Sequence, residues 1–243
     1  ADGLQAGDIV TVVDYKNNIL GNGFADAGNI AVKILTFDDR KIDSDFWKER
    51  LAKAFELRKL MGLTDNEHTN CYRLVHSEGD NLPGLIIDIY GKTAVVQAQT
   101  EGMALNVKAI ADALMTIEGL NITSVYNKSS EAMQRMGKDA VEDGYLIGES
   151  SDEFVLENDS KFFVDWEEGQ KTGFFLDQRY NRDLVRQLAK GKNVLNTFCY
   201  TGGFSVTALR GGANKVVSVD CSKKAIAACE KNIALNGFDV KEN

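Results

Sequence analysis

The chain has 243 residues, 44% hydrophobic and 26% charged, with no low-complexity tract; that is enough for two or three modules, each with a core. No apolar run approaches the roughly 20 residues of a membrane-spanning helix. A formal net charge of −8 excludes a protein that coats nucleic acid by bulk electrostatics, while leaving room for a local basic patch.

In chain order, 8–13 ("DIVTVV") and 30–37 ("IAVKILTF") read as strands, and the Gly- and Asn-rich 21–29 between them as a turn. This is a small β unit, short of the strands a barrel needs. The run 43–62 predicts a helix capped by Asp43 or Ser44, with Trp47, Leu51, Ala54 and Phe55 on one face and Gly62 at its end. Its Lys48, Arg50, Lys53, Arg58 and Lys59 give it a basic side. The polar run 63–70 reads as a linker.

A second module follows, with two strands over 84–100 joined at Tyr90-Gly91-Lys92, one helix over 103–120, a strand at 122–128 and a hairpin over 153–166 turning at Asn158-Asp159-Ser160. Strands and a helix in that order give an α+β pattern. From 175 onward a helix (177–191) is followed by strand 194–198, helix 204–211, strand 215–220 and helix 222–236. This alternation predicts a parallel, doubly wound α/β sheet, here with only two strands.

Between the first such strand and its helix lies "TFCYTGGFS" (197–205). It matches neither G-x-x-x-x-G-K-[ST] nor G-x-G-x-x-G, so phosphate-gripping and NAD-linked readings fail on spacing. The next strand ends in Asp220, near the ~20-residue separation at which a carboxylate takes ribose hydroxyls, and Ser222 is placed to cap the helix after it. The pair points to an adenosine-type ligand without phosphates; a plain tight turn and an N-cap are the alternative. The four cysteines form no C-x-x-C, and with His68 and His76 alone beside them no metal site is expected. Scattered free thiols and the absence of a charged-then-apolar leader fit a cytoplasmic location, with Ala1 in first place leaving the natural start open.

"KTGFFLDQRYNR" (171–182), "VLNTFCYTGGFSVTALRGGANKVVSVDCSKKAI" (194–226) and "YRLVHSEGDNLPGLIIDIYG" (72–91) together resemble the bacterial 23S rRNA large-subunit methyltransferase I family. The resemblance implies S-adenosylmethionine as cofactor, 23S rRNA as partner and cytosine C5 as target, with no membrane or metal; a homodimer is compatible with it. It assigns 1–41 to a partial PUA-like RNA-binding β barrel and 42–69 to a connecting helix and linker. It places 70–168 in an EEHEE-type α+β domain and 169–243 in the first half of a Rossmann-like methyltransferase sheet, the chain being shortened at both ends. By the same resemblance Asn196, Phe198, Tyr200, Thr201, Gly202 and Gly203 pass under the cofactor, and Asp220 and Ser222 hold its ribose end. Phe175, Gln178, Arg179 and Arg182 line its far side, an arginine pairing with the methionine carboxylate. An ordinary amphipathic helix with Leu184, Val185 and Leu188 inward is the alternative for that segment.

C5 methylation needs a thiolate to attack C6 and a base to remove the C5 proton. The family supplies these from an Asp-Pro-Pro loop and a Ser-Cys-Ser motif, neither of which occurs here, so no catalytic residue is expected within the chain. Cys199, on the cofactor side, is poorly placed to substitute. Methylation of another base atom, such as a guanine nitrogen, and a non-catalytic RNA-binding module remain the alternatives.

Overall fold

A computed structural model of the chain describes residues 3–135, 137, 141–150 and 152–240; the expected domain limits at Ala1 and Asn243 lie outside these. Two compact units share the chain discontinuously: 1–65, 72–151 and 166–172 form the first, and 66–71, 152–165 and 173–243 the second.

The first unit opens with strands β1 (Ile9–Val13), β2 (Ile19–Ala25) and β3 (Val32–Thr36) in an antiparallel sheet of that order. The Gly- and Asn-rich run expected as a turn is therefore mostly strand. Its glycines are needed because β3 comes so close: a Cβ on Gly23 would sit 2.1 Å from the Lys33 carbonyl oxygen, and one on Gly21 2.2 Å from that of Thr36. Buried Asn22 is satisfied, accepting from the Thr11 hydroxyl at 2.7 Å and donating to the Arg40 carbonyl at 2.9 Å.

Helix α1 (Ser44–Leu60) is capped by the Asp43 carboxylate, which accepts from the Phe46 amide at 3.0 Å, and it buries Phe46, Trp47, Leu51, Ala54 and Phe55. Its basic side is largely occupied. Arg58 is buried and holds Asp80 through two bonds of 2.7 and 2.6 Å, while Arg50 donates to the Leu35 carbonyl and Lys53 pairs with Glu49.

A five-stranded sheet follows in the order β4 (Cys71–His76), β5 (Leu85–Tyr90), β6 (Thr93–Ala98), β7 (Ser124–Asn127) and β8 (Gly144–Ile147), with β6 and β7 parallel. The helix expected over 103–120 is two, α2 (Glu101–Leu105) and α3 (Val107–Leu114). They break at Asn106, whose side-chain amide donates back to the Gly102 carbonyl at 2.8 Å. A short α4 (Ser130–Gln134) precedes β8. Leu74, Leu85, Ile87, Val96, Ile110 and Leu114 fill the core against α1.

In the second unit β9 (Val155–Glu157) and β10 (Ser160–Phe162) form a hairpin whose turn residues Asn158 (φ 49°) and Asp159 (φ 64°) are both left-handed, as a type I′ turn requires. Helix α5 (Arg179–Leu188) leads to β11 (Asn193–Thr197), α6 (Gly203–Arg210), β12 (Lys215–Val219) and α7 (Lys223–Leu235), with β11 and β12 parallel as expected. One face of this sheet leaves Leu195 and Val219 exposed, and the other packs on α6.

The hairpin expected in the middle domain packs instead on α6 and α7. Phe162 meets Phe174 at 5.0 Å, and Asn232 on α7 together with Asn236, its C-cap, holds the backbone of β10 and of the residue after it. Asn232 accepts from the Phe163 amide at 2.7 Å, and Asn236 accepts from and donates to Lys161 at 2.9 and 2.7 Å. Helix α5 is likewise not the ordinary amphipathic one: Leu184 and Leu188 are exposed, and the residue it buries is Arg182.

Replacing Gly23 by alanine should cost about 1–3 kcal/mol through overpacking against β3. A urea midpoint unchanged from wild type would contradict that account of β2.

Candidate cofactor site

The turn from β11 into α6 carries three left-handed residues, Phe198 (φ 58°), Tyr200 (φ 48°) and Gly202 (φ 79°). Two are not glycine, so the turn stores strain that only its surroundings can hold. Four bonds do so. The Cys199 amide donates to the Val219 carbonyl at 3.0 Å and the Gly202 amide to that of Cys199 at 2.9 Å. The Tyr200 amide donates to Asp220 Oδ2 at 2.9 Å, and the Asn232 side-chain amide to the Thr201 carbonyl at 2.8 Å.

Asp220 stands at the end of β12, half-buried, and its second oxygen accepts from the Ser222 amide at 2.9 Å. These backbone donors, Ser222 first and Tyr200 next, hold its carboxyl below the usual range and keep it ionised. The Cys221 amide and thiol also donate to this carboxylate. The Ser222 hydroxyl is turned to the Ala225 amide as the cap of α7.

Gly202 and Gly203 were expected to make room for a ligand, and the structure gives each a protein neighbour. A Cβ on Gly202 would lie 2.4 Å from Cys229 Sγ, and one on Gly203 3.2 Å from Arg182 Cδ. Their bareness lets the turn sit down on α7 and α5. Below them Asn196 donates to Ser205 at 2.8 Å, and Ser205 joins Ser218 at 2.7 Å, tying β11, α6 and β12 together.

Arg182 is buried with its guanidinium stacked over Phe174 at 4.4 Å and bonded twice to Glu157, at 2.6 and 2.7 Å. Arg179 donates to the same carboxylate at 3.2 Å and to the Cys71 carbonyl. Both arginines expected to face a ligand carboxylate thus have Glu157, itself 1% exposed, as their partner. Phe175 meets the Tyr200 ring edge-to-face at 5.4 Å, and the Tyr200 hydroxyl donates to the Gly173 carbonyl at 3.3 Å. Gln178 points to its own helix, bonding Asp177 and Asn181. Phe198 is 89% exposed.

Among the cysteines, burial pushes Cys71 and Cys199 up to about 12, and burial also raises Cys229, which touches Cys199; Cys221 is exposed. His68 has a partner in Asp159 at 2.6 Å, which raises its pKa. No group of three or more His, Cys, Asp or Glu side chains gathers for a metal among the described residues.

The reading by sequence missed Glu157 and Asn232. The signal for Asn232 was present: an asparagine inside a helix, where the residue is unfavourable unless its side chain has work elsewhere. Glu157, inside a hairpin strand, carried no such mark.

A parallel sheet with a non-phosphate turn and a strand-end carboxylate defines a nucleoside-binding α/β domain, and comparison with known proteins specifies which. The chain belongs to the S-adenosylmethionine-dependent methyltransferase family, whose model matches residues 73–242, while residues 1–37 match a PUA-like domain. S-adenosylmethionine is the cofactor of that family. Relatives named ribosomal RNA large subunit methyltransferase I include those of Photobacterium profundum, 39% identical over 97% of this chain, and Tolumonas auensis, 37% identical over 97%. The chain spans 59% and 60% of their respective lengths. A solved structure classed as a methyltransferase, SMU.776 in complex with S-adenosylhomocysteine, aligns with a TM-score of 0.83 at 26% identity, over 98% of this chain and 60% of that one.

The residues present fit such a ligand. The anchored Asp220 suits a ribose diol, and the absence of a P-loop lysine at 199–205 suits a cofactor without phosphates.

Glu157→Ala should cost about 3–5 kcal/mol, because it leaves the buried Arg182 guanidinium uncompensated; thermal unfolding reads this, and an unchanged Tm would contradict it. For His68, Asp159→Asn should lower the imidazole pKa toward its ordinary value, followed by NMR titration. The sign is that of a raised histidine: the pair's stabilisation is present in full below the unfolded pKa and is lost as pH rises through the folded one.

Proposed function

We propose that this chain binds S-adenosylmethionine across the 198–203 turn and Asp220 and serves methylation of 23S rRNA in the cytoplasm, at cytosine C5. The observation that carries the reading is the ionised Asp220 carboxylate at the strand end, half-buried and anchored by the Tyr200 and Ser222 amides. The names of the relatives support ribosomal RNA as substrate.

S-adenosylmethionine, when bound, supplies an electrophilic methyl group on a sulfonium. Asp220 accepts hydrogen bonds from the two ribose hydroxyls and fixes that end. Phe175 and Tyr200 wall the turn with aromatic surface, and Phe198 offers its exposed ring beside it. Arg179 and Arg182 hold α5 to Glu157 and so support the turn. Cys71, Cys199 and Cys229 are buried with raised pKa values and do not suit the attack on C6. Within the chain, 1–41 takes the PUA-like RNA-binding role, 42–69 connects, 70–168 is the EEHEE-type domain and 169–243 the cofactor domain, with the hairpin at 152–165 packed into the compact unit of the latter.

Titration calorimetry of the chain with S-adenosylhomocysteine (SAH) tests this. Asp220→Ala should weaken binding about 10- to 100-fold, the value of hydrogen bonds to a charged acceptor. Equal affinity in the variant would move the ribose elsewhere, and no binding by wild type would sink the reading.

A further inference from the structure

Along the outer face of α5 runs a groove of about 460 Å³. The hairpin turn at Asn158 and Asp159 forms one wall, α5 from Arg179 to Arg186 the floor, and His68 and Arg210 complete the lining. The wall is fixed from outside the hairpin. The Asp159 amide donates to the His68 carbonyl at 2.9 Å, and the Asn158 amide to the Thr69 hydroxyl at 3.0 Å.

The charges here run against the chain as a whole. Glu157 is shared by Arg179 and Arg182, Asp183 is taken by Arg186 at 2.8 Å, and Asp159 faces His68. Arg210, exposed at the end of α6, has no ion-pair partner among the described residues. Among the lining residues three guanidiniums, Arg179, Arg186 and Arg210, therefore meet two carboxylates, Asp159 and Asp183, before His68 is counted, on a protein of net charge −8. Beside them Tyr180 projects an aromatic ring that is 81% exposed. Its neighbours along the helix, Leu184 and Leu188, continue an uncovered apolar stripe.

Guanidiniums in a groove suit phosphate, and an exposed ring beside them suits an unstacked base. An acidic peptide would use the charges and leave the ring idle. We propose that this groove grips a single-stranded segment of the RNA substrate, with phosphates on Arg210 and Arg186 and a base on Tyr180. The inference rests on the RNA reading above and adds a contact surface separate from the cofactor turn. It also accounts for how a strongly acidic chain holds a polyanion: the contact is local and set into a concave surface.

Fluorescence anisotropy of a labelled single-stranded RNA of roughly 12 nucleotides with the full chain and SAH tests it. Arg210→Ala should weaken binding about three- to tenfold and lower the salt slope by about 0.7, the share of one phosphate on a single strand. Tyr180→Ala should weaken binding about tenfold and leave the salt slope unchanged. Both variants should keep wild-type affinity for SAH. RNA binding unchanged in the double variant overturns the groove and leaves the RNA reading standing. A wild-type chain that holds SAH and no RNA overturns the RNA reading, and the groove with it. A labelled glutamate-rich peptide is the parallel probe: if it loses affinity in the variants while RNA does not, the surface belongs to an acidic protein partner and the proposal fails.

Discussion

The buried carboxylate of Glu157 is the constraint on which the second unit depends. It sits on a two-residue hairpin turn and is 1% exposed, and it holds two arginines from the first turn of α5. A lone carboxylate at that depth would take up a proton or unfold its surroundings, and the buried Arg182, which cannot shed its charge, would unfold them. Together they fix the helix, and Arg182 in turn lies against Gly203 at the head of α6. The chain of contact runs from hairpin to helix to turn. The placement of the turn is therefore decided some forty residues upstream of it in sequence.

From the other side Asn232 does the complementary work. Fully buried, it binds the Thr201 carbonyl with its amide and the Phe163 amide with its oxygen, so α7 joins the same hairpin to the same turn. Strained residues at 198 and 200 survive because they are over-determined by these bonds. These bonds fix the shape of the turn from within the chain itself. Outward, the same region offers aromatic rings and one ionised carboxylate.

How much of this could be read from the chain alone depends on the range of the interaction. The parallel strands, the helix capped by Asp43 and the Asn158-Asp159 hairpin are local patterns of period and turn chemistry, and they are where the sequence places them. The strand at 19–25 was hidden by its glycines, which signal a turn in isolation and a close strand approach only when β3 is in view. The Gly-rich turn and Asp220 stood out as a motif, and the family comparison agrees with S-adenosylmethionine as the cofactor. The arginines of α5 were legible as charges but not as partners of Glu157, because a pairing across the hairpin leaves no periodic trace. Gly202 shows the same limit. Its need for no side chain was correct, and the atom that imposes it is Cys229 Sγ.

The central claim is that the 198–203 turn and Asp220 together hold the nucleoside of S-adenosylmethionine. The most direct measurement is a crystal structure of this chain with S-adenosylhomocysteine bound. The account predicts both ribose hydroxyls within hydrogen-bond distance of the Asp220 carboxylate, with the Tyr200 and Ser222 amides still on its two oxygens and Arg182 still on Glu157. A ribose lodged away from Asp220, or Arg182 released from Glu157 onto the ligand carboxylate, would contradict it.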